Sequence, residues 1–173
     1  MTASIEGAVL EGLAPVVDAR TRLVVLGSFP GAASLQMQQY YGHPRNHFWP
    51  ILAALWGLDF RALTYAQRLA EARRHGLGLW DVYASCRREG SLDSAIEQPQ
   101  LNDLTSLRRC APGLCAIVHN GGESARAMAH TRALGVAVQR LPSPSPPGRP
   151  GPRRGLYRAM GEFSAVRSTE LAG

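Results

Sequence analysis

The stretch LVVLGSFPGAAS, residues 23–34, sets the frame for the rest of the chain. Its opening run is aliphatic with adjacent β-branched valines, and Gly27 and Ser28 stop it. Residues 23–28 therefore read as a buried strand, followed by a loop of Gly, Ala and Ser. Working outward, residues 77–84 (LGLWDVYA), 114–119 (LCAIVH) and 136–141 carry the same signature. Helical patterns lie between them. Residues 47–58 place Phe48, Ile51, Leu52, Leu55 and Trp56 at helical spacing and close on Gly57. Residues 65–74 form an amphipathic helix with Gly76 as its stop. Asn102 or Asp103 caps a helix running to about residue 110, a further helix covers 123–133, and a closing helix covers 155–166. Strands alternating with helices predict a three-layer α/β/α sandwich around a central, mostly parallel four-stranded sheet. In such sheets ligands bind beyond the carboxyl ends of the strands. The loops at that edge are 27–46, 81–92, 120–123 and 142–154.

Length and composition bound the class. The 173 residues suit one domain, expected to span 1–173, and 45% apolar residues against 18% charged can build a core. No apolar run approaches the roughly 20 residues that a membrane-crossing helix needs. The first twenty residues carry acids and no basic patch before their apolar stretch, so no signal peptide is expected and the chain is expected in the cytoplasm. Three cysteines are too few and too irregular for a disulfide framework or a four-thiolate metal site. The 19 basic and 13 acidic residues leave a net charge of +6, and every basic residue is Arg. An arginine-only set follows either from a GC-rich coding bias or from a polyanionic partner, since Arg binds phosphate oxygens through two donors. Without Lys, no side chain can form an imine with a sugar, so a covalent-imine step would need the N-terminal amine.

The densest chemistry lies in GSFPGAASLQMQQYYGHPRNHFW, residues 27–49. Gly27, Pro30 and Gly31 make a tight turn whose backbone N–H groups can face an anion. Core packing accounts for Phe48 and Trp49 but not for the polar, turn-forming His43-Pro44-Arg45-Asn46. Aromatic faces beside an amide and a guanidinium suit a planar ligand with hydrogen-bonding edges, such as a nucleobase. A second signal is LPSPSPPGR, residues 141–149, where prolines preset the backbone and small hydroxyl residues let a phosphate chain approach. His43 and His47 stand four apart, but Pro44 breaks the helical geometry between them and no acidic group completes a ligand set. No metal and no cofactor is expected.

The pairing of GSFPG and YYGHPRNHFW with a distal LPSPSP resembles the uracil-DNA glycosylase superfamily, and within it the hypoxanthine-DNA (deoxyinosine) glycosylase branch. Residues 78–96 and VHNGGESA (118–125) are similar to that branch too, so the resemblance extends from about residue 22 to 146. It implies a uracil-DNA glycosylase-like fold and a monomer acting on DNA that contains deaminated bases, with no membrane partner. Phe29 stands where many members hold a water-positioning Asp or Asn. The resemblance therefore makes Asn46 the catalytic candidate. Tyr41 falls where the ring that stacks on the flipped base is placed, and Asp81 where the base edge is read. A carboxylate there can accept the N1–H of hypoxanthine. Phe29 and Asn120 join these two as base-lining candidates. Leu141 stands where other branches hold a His or Asn. Ser143, Pro144 and Ser145 resemble the loop that grips DNA phosphates and wedges into the duplex, with Arg45, Arg149, Arg153 and Arg154 as further phosphate contacts. After LPSPSP the branch continues with a small residue and Asn, whereas Pro147-Gly148-Arg149 stands here.

The reaction so implied is excision of deaminated bases, hypoxanthine first, with uracil and xanthine as further substrates. A non-catalytic nucleotide or nucleic-acid binding module on the same fold is the alternative: Phe29 and Leu141 favour it, Asn46 and Asp81 favour the enzyme. Since no Lys is present, excision should stop at the abasic site. Purified protein incubated with inosine-containing DNA should give strand breaks only after alkali or heat, read on a denaturing gel.

Overall fold

The computed structural model describes residues 7–141 and Arg158. In chain order its elements are β1 (Leu10–Glu11), β2 (Leu23–Gly27), α1 (Ala32–Met37), α2 (Phe48–Leu55), α3 (Tyr65–Arg74), β3 (Leu77–Asp81), β4 (Tyr83–Arg87), β5 (Glu97–Leu101), α4 (Ser106–Cys110), β6 (Ala116–Asn120), α5 (Gly122–Ala125), α6 (Met128–Arg132) and β7 (Ala137–Leu141). The proline-rich loop with Ser143, Pro144, Ser145, Arg149, Arg153 and Arg154 lies outside the described residues. So, Arg158 apart, does the closing helix at 155–166.

The expected architecture is present. Strands β3, β2, β6 and β7 form a parallel four-stranded sheet in that order. Alternate residues of each strand point to opposite faces, and the two faces carry separate cores. Leu23 and Val25 of β2, with Leu77, Leu79 and Val118, pack against Phe48, Trp49, Ile51 and Leu52 of α2 and Ala72 of α3. Val24 and Leu26, with Trp80 and Ile117, pack against Leu104, Leu107 and Ala127 on the other side. Helices thus cover both faces of the sheet. Parallel pairing brings all four carboxyl ends to one edge: Gly27 pairs with Asp81, and Asn120 with Leu141.

Local chemistry explains the helices that frame this edge. Thr64 accepts from Gln67 N–H while the Gln67 side chain accepts from Thr64 N–H, a reciprocal cap that starts α3. Gly76, at φ +72°, ends it. Pro50 sits in the first turn of α2, where its missing N–H costs no helical hydrogen bond.

Four expectations need correction. Residues 77–84 are two strands rather than one: β3 stays in the parallel sheet, while β4 leaves it to pair antiparallel with β1 and β5 in a small second sheet. The loop 27–46 contains the short helix α1. The helix at 123–133 is broken into α5 and α6 around Ala127, whose buried side chain is held in the core. Neither Asn102 nor Asp103 is the N-cap of α4, which begins after Thr105. Asn102 spends its amide on the main-chain carbonyl of Asp81 instead, at 2.9 Å.

Close packing beside β3 predicts a cost for added volume. A Cβ at Gly78 would lie 2.8 Å from Thr21 Cγ2 and 3.1 Å from the Val16 carbonyl. Gly78→Ala should lower stability by about 1–3 kcal/mol in urea titration, as overpacked cores do.

Candidate functional site

At the carboxyl edge of the sheet, Asp81 is 6% exposed although it is a carboxylic acid. It fits because its neighbour in register is glycine. A Cβ at Gly27 would stand 2.5 Å from Asp81 Oδ1 and 4.0 Å from the Tyr41 hydroxyl. Asp81, Gly27 and Tyr41 therefore meet at one point. The Asn120 amide at the end of β6 joins them by donating to the Tyr41 hydroxyl at 3.4 Å. Asp81 Oδ2 is buried and has no hydrogen-bond partner among the described residues. Burial pushes the Asp81 pKa up to about 7, the Asp93 carboxylate adds to the rise, and the Arg88 guanidinium opposes it. Burial likewise raises the Tyr41 phenol, which stays a neutral donor.

Tyr41 is held in an unusual backbone state. Its φ is +53°, a left-handed conformation that non-glycine residues adopt rarely and at a cost. That conformation lays its ring on Phe48, with centroids 3.8 Å apart and planes at 21°. Phe48 is in turn oriented by Asn46, whose Oδ1 accepts the Phe48 N–H at 2.8 Å. Asn46 is half-buried, and its side-chain oxygen is committed to the start of α2 while its NH₂ is not. Arg45, one residue earlier, is exposed, and its N–H donates to His43 Nδ1 at 3.1 Å.

Phe29 is buried among Trp80, Tyr83 and Leu35 rather than lying open at the edge. The segment after β4 is fastened over it. Arg88 Nη2 donates to the Pro30 carbonyl at 2.5 Å, and its guanidinium carbon sits 5.2 Å from the Phe29 ring centroid. Ser28 Oγ donates to Asp93 Oδ1 at 2.6 Å, and Ala32 N–H donates to Ser91 Oγ at 2.9 Å. The turn after β2 is thus fixed by three side chains that sequence reasoning did not single out. The run REGSLD, residues 88–93, has the small and charged composition of any solvated loop, so nothing local in the sequence assigns these side chains to that turn.

His119 is fully buried, with Nδ1 2.9 Å from Ser124 Oγ and Nε2 2.8 Å from Thr131 Oγ1. Burial lowers its pKa, and with both ring nitrogens occupied its role is structural. The candidate residues therefore divide. Tyr41, Asp81 and Asn120 converge; Asn46 is linked to Tyr41 through Phe48; Phe29 is a support beneath Arg88. As for chemistry, the edge offers an aromatic ring, a phenol, an amide and a partnerless carboxyl group, the makings of a pocket for a flat polar ring.

The model of the uracil DNA glycosylase superfamily matches residues 14–154. A protein of Methanosarcina barkeri named hypoxanthine DNA glycosylase is 38% identical over 135 residues, covering 78% of this chain and 85% of that protein. One of the same name from Methanosarcina acetivorans is 35% identical over 134 residues, with the same two coverages of 78% and 85%. A solution NMR structure of a Methanosarcina acetivorans protein, described as a candidate uracil DNA glycosylase, superposes with a TM-score of 0.75 at 33% identity. It covers 92% of this chain and 96% of its own.

The raised pKa of Asp81 has a measurable effect on stability. Near pH 3 and below, the group is protonated whether the chain is folded or not. As pH rises, the unfolded chain ionises near 3.8, the ordinary aspartate value, while the folded chain holds its proton to about 7. Folding stability contributed by this group is therefore lost progressively across that window. Asp81→Asn cannot ionise and escapes the loss. Its gain over the parent should be absent near pH 3 and level off above pH 8, on the order of 4 kcal/mol by linkage, as read from denaturation at each pH.

Proposed function

Because the chain belongs to the uracil-DNA glycosylase superfamily and is a DNA glycosylase, we propose that it hydrolyses the N-glycosidic bond of deaminated bases in DNA. Hypoxanthine is the foremost substrate, uracil and xanthine are further ones, and an abasic site is left. The observation that carries this reading is Asp81: a buried carboxyl group at a strand end with one oxygen free of any partner. A ring N–H, which deamination creates on hypoxanthine N1, is the partner such an oxygen lacks. The relatives named hypoxanthine DNA glycosylase support the same substrate.

The target nucleotide must first leave the stack, at a cost of a few kcal/mol that is smaller for mismatched pairs. The extruded base lies against the face of Tyr41 opposite Phe48, and stacking of this kind contributes about 1–3 kcal/mol. Phe48 behind it keeps the ring from turning. As the glycosidic bond breaks, the sugar gains positive and the base negative charge. The Asn46 NH₂ serves the bond being broken, by holding water beneath the sugar or by donating to the departing base. Fixed N–H groups of the 28–31 turn stabilise the developing base anion without reorganising. Arg45, and Ser143, Pro144, Ser145 and Arg149 beyond it in the chain, grip the phosphates.

Asn46 carries two duties, and two substitutions separate them. Asn46→Ala removes both the NH₂ and the oxygen that holds Phe48 N–H, costing about 1 kcal/mol of stability. Asn46→Ser keeps an acceptor for that N–H. Both variants should lose excision from inosine-containing oligonucleotides by roughly a hundredfold or more, the scale of a lost transition-state donor, with salt-sensitive DNA binding largely kept. Full activity in either variant would overturn the assignment. A parent that releases no base from inosine, uracil or xanthine substrates would overturn the deaminated-base reading.

A further inference from the structure

Tyr41 keeps a left-handed φ of +53°, which a tyrosine adopts only at a cost. Such a conformation persists only where its surroundings impose it. Two torsions set the chain at Tyr41, and each relates its Cα to a neighbouring peptide plane. On the incoming side, the Tyr40 carbonyl accepts the Trp49 indole N–H at 2.9 Å, and the Tyr40 N–H donates to the Tyr65 hydroxyl at 3.0 Å. On the outgoing side, the Gly42 N–H donates to Ser34 Oγ at 3.0 Å. Both planes that flank Tyr41 are therefore held by side chains, one from α2 and one from α1. Trp49 and Ser34 are themselves buried. Gly42 permits the close approach: a Cβ there would stand 3.2 Å from the Gln39 carbonyl oxygen and 3.5 Å from Ser34 Cα.

We infer that Ser34 and Trp49 are positioning residues for base excision: they clamp φ and ψ of Tyr41, so that its ring already lies on Phe48 when the extruded base arrives. This rests on the proposed stacking of the base on Tyr41 and names what makes that ring ready. Without the clamp, Tyr41 relaxes to a negative φ. That turn of the Cα–Cβ bond takes the ring off Phe48 and parts its hydroxyl from the Asn120 amide. The base then meets a ring that must be ordered as it binds, and the ordering offsets part of the stacking energy. Both residues act through the main chain of Tyr41. Ser34 and Gly42, which lie inside the 27–49 motif without a part in the chemistry, thereby acquire a task.

The test uses the full chain with Ser34→Ala, which removes the acceptor for Gly42 N–H, and Trp49→Phe, which removes the indole donor but keeps an aromatic ring. Each should lower kcat/KM on inosine-containing duplex by roughly tenfold, within the range that a lost base–aromatic stack spans. Binding to undamaged duplex, which rests on phosphate contacts, should stay within about twofold of the parent. Nuclear Overhauser cross-peaks between the Tyr41 and Phe48 rings of the free protein should be strong in the parent and weakened in both variants. In a Tyr41→Gly background no ring needs placing, and adding Ser34→Ala should lower excision by no more than about twofold further. A purely structural role would lower excision and undamaged-duplex binding together, and would carry its cost into the Tyr41→Gly background. Full excision by both variants, or the same loss with and without the Tyr41 ring, overturns the inference. Should Trp49→Phe fail to fold, Ser34→Ala decides it. Should Tyr41→Gly excise too slowly to follow, the cross-peaks decide, and their full strength in Ser34→Ala overturns the clamp. Failure of the underlying reading looks different: the parent then excises no base from inosine, uracil or xanthine substrates, whatever the cross-peaks show.

Discussion

Gly27 and Asp81 lie side by side in the register of β2 and β3, and only the absence of a side chain on the first lets the second keep its carboxyl group there. That steric allowance shapes the rest of the edge. It sinks a titratable group below the surface, where burial holds it largely protonated until near neutrality. It also brings the Tyr41 hydroxyl close to the same point, and Asn120 completes the corner by donating to that hydroxyl. Four strands that share a direction are what make such convergence possible, because each delivers its last residue to the same edge.

A second, smaller sheet serves the first. β4 breaks away just after Asp81 and pairs with β1 and β5, with register shifts on either side of Ser85. Irregularities of this kind bend a strand and re-aim its side chains. Here they lead into residues 88–93, which come back over the turn following β2. Ser91, Asp93 and Arg88 each bond to that turn. Phe29 is thereby put to structural use, since its apolar ring lies beneath a guanidinium.

The aromatic side of the site is organised from α2. Asn46 bonds the first N–H of the helix, Phe48 follows, and Tyr41 stacks on Phe48 from a strained left-handed backbone. Strain of order 1–3 kcal/mol persists only where its surroundings insist on it. The burial of Phe48 and Trp49, with the Trp49 indole N–H donating to the Tyr40 carbonyl, supplies that insistence. Asn46 is thus linked to Tyr41 through Phe48, and its position depends on the packing of α2.

Strand identity was legible in the chain because a buried parallel strand reads as a near-continuous apolar run, as LVVLG, LGLW and AIV do. Their placement at one edge then follows from the strand–helix alternation. Asp81 and Asn120 were legible as polar residues ending such strands, and Asn46 as an amide in a turn that core packing leaves unexplained. Arg88 was not, because a charged residue in a Gly- and Ser-containing run has the composition of solvated loop. Only the three-dimensional course of β4 decides that it lies over Phe29 instead. The splitting of 77–84 into two sheets and the partnering of Ser28 with Asp93 were closed to sequence for the same reason: both depend on contacts between residues distant along the chain. Periodicity reports which way a side chain faces within its own element, and says nothing of what another segment brings to meet it.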